Sequence, residues 1–303
     1  MFFRNLTFFR FPLSLASTLA EPDALLADAA LKPVGPLELS SRGFVSPFGR
    51  DQPALSHRVG DCVWLTVGGE DRLLPAAVVN EEVGKKIEAI ERDEARKLGG
   101  RARKRLKDDI IHELLPRAFV RPQRTDAYLD LEHGFIAVDS SSRKAAEAVV
   151  SEVRRALGSF PAVPLNPQSS PRGVLTEWIA GEKLPKDLVV GDECELRDSM
   201  DRGAVVKCQR QELDGEEIAK HLESGKQCTR LALAFDDHMG FVLGEDLIVR
   251  KLKFLGGAVD QLENTERDSI HAELDARFAL MSGELKRLFV LLEKAFKLSA
   301  ADT

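Results

Sequence analysis

Thirteen lysine and arginine residues crowd the segment from Lys85 to Arg124, against seven aspartate and glutamate residues. The 303-residue chain as a whole carries 43 Lys and Arg against 49 Asp and Glu, a net charge of -6, so everything outside this segment holds -12. Cations gathered on an otherwise anionic protein suit a phosphate backbone, because each lysine or arginine that meets a phosphate displaces a condensed counterion. A charge run of this kind is also compatible with a solvated helical face. The segment runs through Leu114-Leu115-Pro116-Arg117-Ala118-Phe119-Val120-Arg121-Pro122. Phe119, flanked by Arg117 and Arg121, could stack on a base, wedge between base steps, fill a pocket on another subunit, or anchor the core.

A second chemistry is open to Asp130-Leu131-Glu132. Two carboxylates spaced by one residue on a strand share a face, as a two-metal nuclease needs, with Asp126, Asp139 or Asp236-Asp237 as partners. Against this, such a tripeptide arises often by chance and Glu132 falls at a predicted turn, so Asp130 reads first as a residue on the exposed face of a hairpin. The chain has no G-x-x-x-x-G-K-S/T loop, no G-x-G-x-x-G after a strand, no H-E-x-x-H and no G-x-S-x-G. The six histidines show no ligand spacing, so no metal or cofactor is expected. Asp236-Asp237-His238 reads as turn chemistry.

The composition, 44% hydrophobic and 30% charged, is that of an ordinary soluble protein with room for two or three domains. Cys62, Cys194, Cys208 and Cys228 lack C-x-x-C spacing and read as buried thiols in a reducing compartment. No apolar run approaches the roughly 20 residues of a membrane helix. Arg4 and Arg10 bracket an apolar run too short for a signal peptide. A cytoplasmic protein is expected.

The elements that must position these groups follow from periodicity. Residues 2–9 and 62–67 read as strands, with a helix at about 22–31 and a long loop or short strands over 34–53. Apolar spacing predicts a helix over 81–98 closed by Gly99-Gly100, and another over 103–115 stopped by Pro116. Paired, they would form a projecting hairpin with Arg101, Arg103 and Lys104 at its basic tip. Tyr128–Leu131 and Phe135–Val138 predict a hairpin turning at Glu132-His133-Gly134. Ser141-Ser142 opens a helix with Ala146, Val149, Val150, Val153 and Leu157 inward, ending at Gly158. Residues 161–171 read as a linker. Further on come a strand at 204–210, a helix opened by Asp214 and Glu217, and a meander over 229–235, 240–243 and 246–254. Helices at 262–281 and 282–297 complete the chain. The fold class expected is α+β with antiparallel sheets, in four parts: 1–75, 76–125, 126–170 and 171–303.

These residues resemble the RdgC family of bacterial recombination-associated, nucleoid-associated proteins. The resemblance lies in Phe3-Arg4-Asn5-Leu6, Gly43-Phe44-Val45-Ser46-Pro47, Glu94-Ala95-Arg96-Lys97-Leu98 and Leu114-Leu115-Pro116-Arg117-Ala118-Phe119. It continues in Leu157-Gly158-Ser159, Leu175-Thr176-Glu177-Trp178, Glu216-Glu217-Ile218 with Gly225-Lys226, and Met281-Ser282-Gly283-Glu284-Leu285. It implies a non-enzymatic protein that binds double-stranded DNA with little sequence preference, as a ring-shaped homodimer that encircles the duplex and restrains recombinase filaments. Carried over by motif, Arg96, Lys97, Arg117, Arg210, Gln211 and Lys226 match DNA-facing positions, and Phe119 matches a subunit contact. Arg121 joins Arg117 as a candidate phosphate ligand. Gly99-Gly100 departs from a lysine-rich family pattern, which Arg101, Arg103, Lys104 and Arg105 would offset.

Overall fold

A computed structural model describes residues 2–20, 22–49, 52–182, 184–198, 203–256 and 270–300. The protein is a mixed helix and antiparallel-sheet structure built on two sheets. The first contains β1 (Thr7–Arg10), β2 (Ser40–Val45), β3 (Ser56–Val59), β4 (Cys62–Leu73), β5 (Phe119–Asp130), β6 (Phe135–Val138) and β7 (Val163–Pro164). Their order is β2-β4-β5-β6-β1-β7. β3 lies along the Cys62–Leu65 half of β4 and β2 along its Thr66–Asp71 half. The second sheet contains β8 (Leu188–Arg197), β9 (Val205–Gln209), β10 (Gln227–Phe235), β11 (Met239–Gly244) and β12 (Val249–Phe254), in the order β12-β11-β10-β8-β9. The helices are α1 (Ala16–Leu19), α2 (Asp23–Ala27), α3 (Ala76–Glu94), α4 (Gly100–Leu114), α5 (Arg143–Leu157), α6 (Pro171–Ile179), α7 (Glu216–Glu223) and α8 (Ile270–Phe296).

The period of two in the strands sends alternate side chains into two separate cores. On one face of the first sheet, Phe9, Val63, Leu65, Ala127, Leu129, Ile136 and Val138 meet Ala146, Val149, Val150 and Val153 of α5. From the other face, Phe8, Trp64, Tyr128, Phe135 and Ala137 enter a core shared with the second sheet and α8. There the Phe135 and Phe289 rings stack at 4.1 Å, and Tyr128 meets Phe135 edge-on at 5.7 Å. The first sheet is therefore the central layer, and its strands are apolar on both sides.

Several elements match expectation. The β5–β6 hairpin pairs Asp130 with Phe135 and Ala127 with Val138. The Ser142 hydroxyl accepts from the Ala145 N–H at the start of α5, and Gly158 closes that helix with φ 73°. β10, β11 and β12 form the meander.

Others differ for identifiable reasons. The N-terminal strand begins only at Thr7, because Leu6 pairs instead with Val249 of the second sheet. α2 is five residues long, since the chain beyond it turns to bond β2: Leu31 N–H donates to Phe44 O and Phe44 N–H to Ala29 O. Gly43 permits that approach, as a Cβ there would stand 2.5 Å from the Leu31 nitrogen. α3 starts earlier than expected and ends at Ala95, which takes the left-handed conformation with φ 50°. Gly99 is not its terminator but the extended residue before α4, which starts at Gly100 rather than 103. Pro116 sits inside a 3-10 turn, Leu115–Arg117, that leads directly into β5.

α7 starts at Glu216 after Gly215, without a side-chain cap from Asp214. The segment 161–171 is tied down: Val163–Pro164 pairs with β1, Pro167 with Leu298, and Ser170 caps α6. α8 runs unbroken through Met281-Ser282, where two helices were expected. Ser282 lies buried there, its hydroxyl donating back to the Ala279 carbonyl. Residues 262–269 of the first of those two lie outside the described residues.

Candidate nucleic-acid interface

β4 and β5 pair over twelve positions, from Cys62 opposite Asp130 to Leu73 opposite Phe119. Burial falls along this ribbon: Ala127 to Asp130 are fully enclosed, whereas Phe119 to Pro122 are exposed. α3 and α4 are inserted between its outer ends. They run antiparallel, laced by Lys86 to Glu113 at 2.6 Å, Lys107 to Asn80 at 3.3 Å and Arg103 to Glu91 at 3.1 Å. Only Val79 in α3 and Ile110 in α4 are buried. In α4 the apolar residues Leu106, Ile111 and Leu114 are only half-buried.

The connection between these helices carries Arg96 and Lys97, and the first turn of α4 carries Arg101, Arg103 and Lys104, all exposed. Arg96 pairs with Glu94 at 2.7 Å. Lys97, Arg101 and Lys104 make no ion pair among the described residues. Glu91 accepts the Leu98 N–H at 2.9 Å, which with Arg103 holds its carboxyl below the usual range. The first turn of α4 contains no acidic residue. Cations there oppose the helix macrodipole, whose positive end already lies at the N-terminus. The arrangement is unfavourable for the isolated helix and strongly attractive to an anion.

Arg117 is exposed in the 3-10 turn, at the outer end of the ribbon. Arg121 faces Asp71 across it and pairs with that carboxylate at 3.4 Å, which Arg42 also meets at 2.6 Å. Phe119 is 83% exposed. The core-anchor reading of this residue is therefore wrong; Leu115, 2% exposed, takes that place. Arg72 was not foreseen. Its guanidinium donates to the Leu115, Ala118 and Gly35 carbonyls, pinning the junction of helix and strand. An arginine at the fraying end of a strand gives no sequence signal for that task.

Arg210, Gln211 and Lys226 lie elsewhere. Arg210 follows the edge strand β9 with φ 58°, Gln211 N–H donates to Asp192 O, and the Lys226 ammonium donates to Ser224 Oγ. No hydrogen bond or ion pair among the described residues joins this group to the cations on α3, α4 and β5.

Apart from Asp237, each of the carboxylates proposed for metal chemistry is already engaged within the chain. Asp130 is not on an exposed face but fully buried. Its Oδ1 accepts the Glu132 and His133 N–H groups, at 3.1 and 2.8 Å, and so shapes the hairpin turn. Glu132 lies past the strand end and pairs with Lys286 at 2.6 Å, which depresses its carboxyl. Asp126 accepts from Thr66, Asp139 from the Arg4 and Asn5 N–H groups, and Asp236 pairs with Arg287. Among the described residues, no group of three or more His, Cys, Asp or Glu side chains is arranged to hold a metal ion. All four cysteines are free and buried, and burial pushes the Cys62 thiol up to about 11. No described helix is long and apolar enough to cross a membrane.

Fold and site define an α+β protein built on two antiparallel sheets, with two helices inserted at the outer end of the long β4–β5 ribbon and exposed cations where one helix passes to the next. Residues 1–299 match the family model described as "Putative exonuclease, RdgC". The chain is 65% identical over 303 residues, 100% of both proteins, to "Recombination-associated protein RdgC" of Xanthomonas axonopodis pv. citri (strain 306). It is 61% identical, again over 100% of both, to the protein of the same name from Stenotrophomonas maltophilia (strain R551-3). The chain belongs to the RdgC family.

Proposed function

We propose that this protein acts in recombination by binding double-stranded DNA without sequence preference, as a ring-shaped homodimer that encircles the duplex and restrains the recombinase filament. The observation that carries this reading is the cluster Arg96, Lys97, Arg101, Arg103 and Lys104 around the positive end of α4. Arg117, Arg121, Arg210, Gln211 and Lys226 would extend the phosphate-facing surface, and the α3–α4 pair would be its projecting basic hairpin. In a closed two-fold ring each cation occurs twice, and anionic surface can face outward. Such a ring would sit with the nucleoid in the cytoplasm.

Backbone contacts carry no base information, so binding should be general for duplexes and steeply dependent on salt. Titration of random and defined duplexes across a salt series tests this. A near-flat salt dependence, or one site bound orders of magnitude more tightly than the rest, would overturn it.

A metal-dependent exonuclease is the competing reading, because the family model's description includes the words "Putative exonuclease". It requires Asp130 and Glu132 to act together on a divalent ion. Asp130 is enclosed and bonded to backbone N–H groups, while Glu132 is held by Lys286. The expected result is no shortening of linear duplex with magnesium or manganese at high protein concentration. Degradation that disappears in Asp130→Ala would establish the nuclease instead.

A further inference from the structure

A second gathering of positive charge lies away from the helical pair. It lines a groove of about 730 Å³ between the outer face of α8 and the turn that enters β8. The floor is apolar, made by the half-buried Val290, Leu291 and Ala295 with the buried Phe235 at the end of β10. Lys286, Arg287 and Lys294 rise from the same helix, and Lys186 stands on the opposite wall beside Pro185. Asp187 is the single carboxylate among the described residues of the lining.

These cations differ in what already holds them. Lys286 is drawn to Glu132, and Arg287 to Asp236 and Glu284, with the Arg287 guanidinium 5.1 Å from the centroid of the Phe235 ring. Lys186 and Lys294 are exposed and make no ion pair among the described residues. Two unpaired ammonium groups thus flank an apolar floor, on a body that is anionic outside the Lys85–Arg124 segment.

We propose that this groove docks an acidic peptide segment of a partner protein. An apolar side chain of the peptide would lie on Val290, Leu291 and Phe235, while its carboxylates meet Lys186 and Lys294. The floor favours a peptide over nucleic acid, because a phosphate backbone gains nothing from covering aliphatic side chains, whereas an apolar anchor in a desolvated pocket carries most of a peptide's affinity. Charge at the rim would set the rate of encounter and the choice of partner.

The test uses the full chain and a fluorescein-labelled nonapeptide, Asp-Asp-Leu-Asp-Asp-Phe-Asp-Asp-Leu, followed by anisotropy. Saturable binding is expected with a Kd on the order of 10 µM. The double variant Lys186→Glu/Lys294→Glu changes exposed side chains only, and should bind the peptide about tenfold more weakly or worse while its duplex affinity stays at the wild-type value. A control peptide with serine in place of leucine and phenylalanine should lose about tenfold. The proposal fails if the acidic peptide does not saturate, if the double variant binds it as tightly as wild type, or if the serine peptide binds equally well. It fails also if the double variant loses duplex and peptide binding by the same factor, since the groove is then a nucleic-acid contact. The duplex affinity of the wild-type chain is read separately, so failure here leaves the DNA-binding reading standing, and the converse holds.

Discussion

Alanine at Arg96, Lys97 and Arg117 together is expected to weaken duplex binding severely while leaving the fold intact. All three side chains are exposed, and the ion pair of Arg96 is with Glu94, two residues away. Pairs of that kind contribute little to stability, so the unfolding midpoint should not move. Binding behaves differently, because every phosphate contact contributes about 0.9 to the slope of log K against log salt. Six such contacts in a two-fold dimer would lower the slope by about five. Filter binding or anisotropy between 50 and 200 mM salt, ranges over which such contacts change affinity by roughly 10³ to 10⁵, resolves this readily. Wild-type affinity and slope in the triple variant would place the DNA on another face. The Arg210, Gln211 and Lys226 group at the edge of the second sheet would then be the next set to remove.

Phe119→Ser is expected to open the proposed ring without removing its charge. The side chain is 83% exposed and faces Leu73, itself exposed, across the end of the ribbon. Truncating it leaves no core cavity, so the monomer should fold as before. At a two-fold contact the ring would be buried twice, each copy worth about 2 kcal/mol as an interface anchor. Loss of both would raise the dimer dissociation constant on the order of 10³-fold. Arg117 and Arg121 remain and can still meet phosphate, so affinity for short linear duplex should fall far less than retention on circular duplex. The measurements are sedimentation for the dimer and dissociation rates from closed circles. A variant that dimerises and leaves circles as slowly as wild type would show that Phe119 does not close the ring.

Much of the local structure was legible in the chain because its signals are short-range. The β5–β6 hairpin follows from Glu132-His133-Gly134 between two apolar runs, and Gly134 takes φ 64° as the turn requires. α5 follows from a serine at its start, a 3.6-residue apolar stripe and a glycine at its end. The cationic segment was visible as composition. These features need no knowledge of what packs against them.

What the tertiary structure decided depends on partners distant in sequence. Asp130 lies opposite Cys62 and near Lys286, and only that register and the placement of α8 enclose a carboxylate that a local reading leaves on the surface. The N-terminal strand is short because Leu6 meets Val249, a residue of the other sheet. α8 stays continuous because Met281, Leu285, Leu288, Phe289 and Leu292 pack as one face on a core built from both sheets, and packing overrides a local break signal. Phe119 is exposed because Leu115 takes the core position and Arg72 fixes the chain as it enters β5. The groove beside α8 assembles residues from 133 to 295, and no periodicity within one element encodes such a meeting. Local conformational preference is written in neighbouring residues, whereas burial, register and surface shape arise only when segments far apart in the chain exclude water together.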